Sequence, residues 1–343
     1  VNAYQGSAGI AALGAAVSTA RVTNDVTARV GQGSVLHINS DSANQGLVVQ
    51  AHDGMAVNTK AYGATVGLAA AGVVSATAQR AGSVTALVDN QTKVNSVFGD
   101  VNIRSSREGQ TSAYSLAGAG GVHAGNASVA QAKETGLVQA SIGQGVTIIA
   151  PDGAVRLEAL SKPQVAADSL GYGGAIFSAV GLSLAEAVAD TKIRATIGTG
   201  GKIKADSLIV NALTRLAGTS PTVRSYAEAI GGGALLGANA ANSVAKSSLV
   251  ITASLGSNLA IARDVQVLAS NTTKQEAKVT GIVGGLAAVG ANLATAQADS
   301  TVTALVGNGA AGTVGGTLAV NAVGSDDTYS EATSGSGGVV AGA

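Results

Sequence analysis

The chain has 343 residues, and 20 lysine or arginine residues balance 20 aspartate or glutamate residues, so its formal net charge is zero. Only 12% of residues are charged and 2% aromatic, whereas 46% are hydrophobic, which excludes a disordered chain and a core built on aromatic side chains. No basic stripe supports a nucleic-acid partner, and the absence of cysteine removes disulfides, zinc–thiolate sites and thiol chemistry.

Each repeat of the sequence begins with an apolar segment rich in glycine and alanine. Glycine interrupts almost every window, at about 1 kcal/mol each relative to alanine in a helix. Polar residues such as Glu186, Asn239 and His123 break the runs that a membrane-spanning helix, with about 20 apolar residues, would need. We therefore expect no membrane span, and instead strands whose small residues let two sheets approach closely. The copies are residues 7–20, 63–78, 115–130, 170–189, 229–245 and 280–296.

The second part of each repeat is an anchor strand, whose clearest copy is VQASIGQG at residues 138–145. Its alternation of apolar and polar residues is typical of a half-buried strand that ends in a turn. The copies begin at residues 26, 84, 138, 193, 251 and 302, which are 58, 54, 55, 58 and 51 residues apart by subtraction. A fixed period with the same residue in one slot indicates a repeat architecture. We expect that slot to face inward, and it holds Ala28, Ala86, Ala140, Ala195, Ala253 and Ala304.

The third part is a short alternating strand introduced by a turn, such as VRLEA at residues 155–159. Its copies begin at residues 47, 101, 155, 208, 265 and 318, with spacings of 54, 54, 53, 57 and 53 by subtraction. The turns between the strands carry pairs of glycines or the Pro151-Asp152-Gly153 sequence, which is ordinary turn chemistry. The anchor strand and this third strand therefore give the same repeat period independently.

Short strands that bury an apolar face only by stacking on their neighbours predict an all-β fold, a parallel β-solenoid (β-helix), with right-handed winding. We expect one continuous array over residues 1–343, of about six repeats of about 54 residues. A repeat of this length suits one very wide coil or two coils of about 27 residues. We expect two coils, so that a dozen coils would make a rod roughly 58 Å long. The approximate repeats are 3–55, 56–110, 111–164, 165–218, 219–274 and 275–329, with a partial copy at 330–343.

Both ends lie inside the repeat pattern, and residues 337–343 begin another glycine/alanine segment. We therefore expect a fragment of a longer array. Uncapped coils expose unpaired backbone groups, and low charge offers little repulsion. We expect end-to-end self-association of the isolated chain on these grounds.

The anchors of the form V-x-A-x-[IV]-G, the GDVNI strand at residues 99–103 and runs that end in AEA (185–187) or ATA (76–78) resemble the repeats of very large bacterial exoproteins. These are the filamentous haemagglutinin-like adhesins, including the leukotoxin-type adhesins of Gram-negative bacteria. The resemblance covers essentially the whole chain. It implies a β-solenoid stalk, secretion to the cell surface, and adhesion to a host or neighbouring cell surface or matrix. The matched motifs contain no catalytic residue.

Two features could suggest a bound cofactor or metal. Residues 307–312 match GxGxxG after a strand, but nothing helical is predicted to follow, so we interpret the motif as a strand–strand turn. The histidines His37, His52 and His123 fall at different repeat positions and lack the spacing of metal ligands. We expect no cofactor and no metal site.

Candidate catalytic groups are equally sparse. Asp326 and Asp327 are the only adjacent carboxylates, and they follow Gly324-Ser325, which predicts a turn. Lys202 and Lys204 share a strand face that we expect to be solvated. The outward threonines do not recur in every repeat, as an ice-binding array would require.

The sequence favours a non-catalytic, structural and adhesive stretch of a secreted or cell-surface filament. One alternative is a carbohydrate-active β-helix enzyme, which needs a cleft with clustered acids or bases. Another is the stalk of a secreted toxin. We expect no enzymatic activity and no catalytic residues.

Overall fold

The structure is a computed structural model, and it describes residues 1–38, 46–96 and 99–342. Throughout these ranges the regular elements are β-strands joined into one sheet, with parallel pairing between successive turns. The described part of the chain contains no helix long and apolar enough to cross a membrane. The predicted parallel β-solenoid is confirmed.

The strands vary in length because several run through corners without a break. Their bounds are β1 (Asn2–Thr23), β2 (Val26–Val30), β3 (Val35–Ile38), β4 (Leu47–Asp53), β5 (Val57–Ala81), β6 (Ser83–Val88), β7 (Lys93–Ser96), β8 (Val101–Ile142), β9 (Thr147–Ile197), β10 (Lys202–Thr214), β11 (Val223–Gly233), β12 (Leu236–Ser247), β13 (Val250–Leu255), β14 (Asn258–Ile261), β15 (Val265–Gly284), β16 (Ala287–Ala298), β17 (Thr301–Val306), β18 (Gly312–Val314), β19 (Leu318–Gly337) and β20 (Val340–Gly342).

The register of the strands shows that each repeat is one wide coil. Ala28 pairs with Ala86, and Ala86 pairs with Ala140, so neighbours in the ladder are a whole repeat apart in sequence. The prediction of two coils per repeat is wrong, because the glycine/alanine segment does not close a coil of its own. Six coils spaced about 4.8 Å apart make a stack roughly 29 Å high, half of the height expected.

We number the coils from the position of Val57, where β5 begins, and from its register partners in the later coils; coil 1 starts with β1. Coil 1 begins at residue 2, coil 2 at 57, coil 3 at 111, coil 4 at 165, coil 5 at 223 and coil 6 at 275. A partial seventh coil begins at residue 328, and its β20 continues the ladder on β16. Ala343, the last residue of the predicted partial repeat, lies outside the described residues.

The anchor strand and the third strand of each coil form the body of the solenoid. Val138, Ile142, Val155 and Leu157 are at most 2% exposed and belong to a core that is continuous along the stack. Ala140 is fully buried, and the same alanine slot is stacked in register from coil to coil. The predicted inward orientation of that slot is confirmed.

The glycine/alanine segment of each coil forms an arm of two strands that face each other through their side chains. The hydroxyl oxygens of Ser115 and Ser128 are 2.7 Å apart across the arm. A Cβ atom added to Gly63 would lie 2.6 Å from Val74 Cγ2, which is too close for any real contact. The prediction that small residues let two sheets approach closely is confirmed.

Candidate functional site

The first strand of every arm turns alternate side chains outward, and all tyrosines of the chain lie on that side. Tyr4 is 73% exposed, and the others are exposed or half-buried. We call this outer surface of the first arm strands the tyrosine face. Its tyrosines are Tyr4, Tyr62, Tyr114, Tyr172, Tyr226 and Tyr329, which are the 6 tyrosines of the sequence.

At the coil 1 end of this face the rings form a ladder. Tyr4 pairs in register with Tyr62, and their rings stack with centroids 5.1 Å apart and planes at 5°. Tyr62 and Tyr114 are 5.5 Å apart with planes tilted by 44°. Each stacked aromatic pair of this kind stabilises the fold by about 0.5–1.5 kcal/mol beyond the contribution of its buried area. A shallow depression between Tyr4 and Tyr62 reaches Leu116 of coil 3.

In coils 4 and 5 the tyrosine hydroxyls are held by a single acidic residue. Tyr172 donates to Glu228 at 3.2 Å, and Tyr226 donates to the other oxygen of the same carboxylate. Partial burial, together with the Glu228 charge, raises the pKa of Tyr172 to about 12, so this hydroxyl remains a donor at neutral pH. Arg224 and Asp168 form an ion pair of 2.7 Å beside them.

At the last coils a lysine joins the aromatic surface. Lys278 Nζ lies 5.4 Å from the centroid of the Tyr329 ring, within the range of a cation–π contact. Tyr329 donates to Glu331 at 2.9 Å. The tyrosine face thus combines aromatic rings with charges of both signs. A tyrosine side chain has an apolar ring and a polar hydroxyl, which suits contact with a surface that is partly apolar and partly polar.

A second feature is a buried ionic cluster at the junction of arm and body in coils 1 to 3. Arg80 and Glu134 are stacked register partners, as are Asp53 and Arg107, and all four side chains are at most 2% exposed. Arg80 Nη2 lies 2.8 Å from Asp53 Oδ2, and Arg107 Nε lies 3.5 Å from the same oxygen. The cluster holds two potential charges of each sign.

The two guanidinium groups also donate hydrogen bonds to backbone carbonyls at the corners of the coil. Arg80 donates to the carbonyl of Glu108 at 2.9 Å, and Arg107 donates to the carbonyl of Gly82 at 2.9 Å. Gly82 itself has a φ of 110°, which favours glycine at this corner. Burial raises the pKa of the Glu134 carboxyl, against the opposing effect of both arginines. The cluster ties the arm to the body rather than facing solvent.

The three histidines have different surroundings. His52 Nδ1 is 2.9 Å from Ser106 Oγ, whereas the His123 ring stacks on Phe177 with centroids 5.9 Å apart. His37 is exposed on β3. Among the described residues, no three His, Asp or Glu side chains are grouped so as to hold a metal ion.

The other sequence motifs have mixed outcomes. The GxGxxG motif at 307–312 leads into the short strand β18, so the predicted strand–strand turn is confirmed. Lys202 and Lys204 are both exposed, as predicted. The predicted turn at Asp326 and Asp327 is wrong, because both lie within β19, where Asp326 accepts a hydrogen bond from Asn271 at 2.7 Å.

Sequence reasoning missed both the tyrosine face and the ionic cluster. The signal for the cluster is the two-residue alternation, because Ala76 and Ala78 are buried and the same phase places Arg80 inside. The signal for the face is that all tyrosines share one phase of the two-residue alternation in the first arm strands, which can be seen only once the arm register is known.

No family model, curated protein or solved structure matches this chain.

Proposed function

We propose that this chain is a non-catalytic, adhesive and structural stretch of a filamentous protein that is secreted or held at the surface of a Gram-negative bacterium. In this proposal the tyrosine face makes the contacts with a host or neighbouring cell surface or matrix. The stacked coils hold that face flat and repeat it along the filament.

The observation that carries the proposal is the placement of all 6 tyrosines on one outer face of the arm. The chain has 6 tyrosines, 2 phenylalanines and no tryptophan, so tyrosine is its main aromatic residue. Tyrosine gives a large, rigid contact area at a low entropic cost, which is why it is enriched in recognition surfaces. Nothing in the packing of the core requires this placement, because the rings point away from it.

The dimensions of the coil also support a surface role. Each repeat contributes only about 4.8 Å of height, because its strands pair one repeat apart. A chain that served only as a spacer would gain more length from narrower coils. The extra residues of each coil build the arm and therefore increase the lateral surface that the filament presents.

An adhesion assay tests this role. Beads coated with the purified chain are passed under flow over epithelial cell layers and over collagen-coated glass, and the fraction of beads retained is measured. We expect retention of the native chain and a loss of at least several-fold for Tyr62→Ser combined with Tyr114→Ser. The matched control is Lys202→Ser combined with Lys204→Ser, which changes two exposed side chains of the body and should not alter retention. Circular dichroism checks that all variants keep the fold.

Equal retention of the tyrosine variant and the control would contradict the assignment of the tyrosine face. Release of reducing sugars from polysaccharides incubated with the chain would instead favour the carbohydrate-active enzyme. We expect no such release.

A further inference from the structure

The second strand of every arm presents an outer surface quite unlike the tyrosine face. Three successive outward positions carry no charged side chain in coils 1 to 6. Several of these side chains are widely exposed, including Val180 at 49% and Leu293 at 59%. We call this surface the aliphatic face. From coil 1 to coil 6 it consists of Leu13, Ala15 and Val17; Ala71, Val73 and Ser75; Gly125, Ala127 and Val129; Val180, Leu182 and Leu184; Ala238, Ala240 and Asn242; and Val289, Ala291 and Leu293.

The aliphatic face is corrugated along the stack. Coil 4 carries the larger side chains Val180, Leu182 and Leu184, which form a ridge. The register partners in coil 5 are smaller, with Ala240 directly beside Leu182. The structure has a groove over coil 5, and its walls include the leucines of coil 4 and Leu293 of coil 6. A ridge and a groove therefore lie side by side.

We propose that two copies of this chain pair through their aliphatic faces with solenoid axes antiparallel. The two-fold axis runs along the arm, between coils 4 and 5. It places the coil 4 ridge of each copy in the coil 5 groove of the other, so the contact is self-complementary, as a two-fold interface requires. The same axis sets Val289 of coil 6 over Gly125 of coil 3.

The polar border of the face agrees with this arrangement. The next outward residues toward the body are Glu186 and Val188 in coil 4, and Lys246 is the register partner of Val188 in coil 5. The two-fold sets Lys246 over Val188 of the other copy, one outward position from its Glu186. Opposite charges therefore approach each other twice in the dimer.

The area of the contact is also sufficient. Coils 3 to 6 overlap in the dimer, and five outward positions on each cover roughly 600 Å² per copy at the spacings of a β-sheet. The total of about 1,200 Å² lies at the low end of specific interfaces, so we expect a dissociation constant in the micromolar range. This pairing goes beyond the proposed adhesive function and does not depend on it, because it uses the opposite face of the arm.

Sedimentation velocity over a range of concentrations tests the pairing. We expect the native chain to form dimers, and Leu182→Asp combined with Leu184→Asp to remain monomeric at the highest concentration. The matched control is Ile282→Asp on the tyrosine face, since Ile282 is 49% exposed, as Val180 is on the aliphatic face. This control should dimerise normally. A strictly monomeric native chain, or equal dimerisation of the two aspartate variants, would overturn the proposal.

Because the chain has no cysteine, single cysteines can carry spin labels for distance measurements. Thr19 in coil 1 and Thr295 in coil 6 occupy the same column on the border of the aliphatic face. The antiparallel dimer places the two Thr295→Cys labels roughly 15–20 Å apart and the two Thr19→Cys labels roughly 35 Å apart, from the strand and sheet spacings. Equal distances at the two sites, which head-to-tail association along the stack would give, would overturn the antiparallel pairing.

Discussion

Arg80 and Asp53 form an ion pair of 2.8 Å in which both side chains are 1% exposed. They come from opposite walls of coils 1 and 2, and Arg107, also in coil 2, approaches the same carboxylate. The geometry is that of an ion pair without an aligned hydrogen bond at Asp53 Oδ2. Such a pair matters for stability chiefly because a buried charge without its partner is strongly destabilising.

Replacing only one residue of the Arg80–Asp53 pair should therefore destabilise the fold more than replacing both. Arg80→Met leaves the buried Asp53 with one fewer counter-charge and should lower the free energy of unfolding by about 3–5 kcal/mol. Adding Asp53→Leu removes that carboxylate and leaves Arg107 with the Glu134 carboxyl as its acidic neighbour, so the double variant should recover part of this loss. Urea unfolding of the two single variants and the double variant gives the coupling. Additive losses would show that the two charges act independently.

The buried Glu134 predicts a pH dependence of stability. Burial raises the folded-state pKa of Glu134 above its unfolded value of about 4.3, although Arg80 and Arg107 oppose the shift and Asp53 adds to it. The folded chain therefore binds the proton more tightly. This contribution is fully present below the unfolded pKa and is lost as the pH rises through the folded pKa.

Glu134→Gln should remove that decline of stability with rising pH, as measured by urea unfolding between about pH 4 and pH 8. Glu108→Gln is the matched control, because a hydrogen bond from Lys162 lowers the pKa of Glu108 and gives a contribution of the opposite sign. The control should keep the decline. A native profile in Glu134→Gln would contradict the role of this carboxyl.

The alanine slot of the anchor strand predicts a strong steric effect. Ala140 is fully buried between register partners that are also alanine, so Ala140→Phe should destabilise the fold by about 1–3 kcal/mol through overpacking. Gln139→Phe places the same side chain on the outward side of the same strand and should have little effect. Thermal melting of both variants compares them, and an unshifted transition in Ala140→Phe would refute the inward packing.

Two adjacent glycines of the arm predict opposite outcomes for the same substitution. A Cβ atom on Gly231 would lie 2.9 Å from the carbonyl oxygen of Ala238 across the arm, whereas one on Gly232 would meet nothing within 4 Å. Gly231→Ala should therefore cost about 1–3 kcal/mol. Gly232→Ala should be neutral or stabilising by about 0.4–1 kcal/mol, because it restricts the unfolded chain. Chemical unfolding of the two variants measures these effects. If neither substitution changed the stability, the close packing across the arm at Gly231 would be refuted.

The sequence alone determined the repeat, the solenoid class and the inward alanine slot. These depend on local alternation and on a period that recurs, so Ala28, Ala86 and Ala140 could be aligned without knowing which strands pair. The frequent glycines also predict the strand character of the arm, because they disfavour a helix there.

Tertiary structure decided how each repeat closes and what it exposes. A glycine/alanine segment is equally compatible with a coil of its own and with an arm folded on itself, and only the pairing of Ala86 with Ala140 a full repeat away distinguishes them. The tyrosine face depends on that choice, since Tyr4 and Tyr62 meet only when whole repeats stack. The ionic cluster depends on it too, because Asp53 and Arg80 are brought together by opposite walls of the coil, and no local pattern encodes a contact between distant corners.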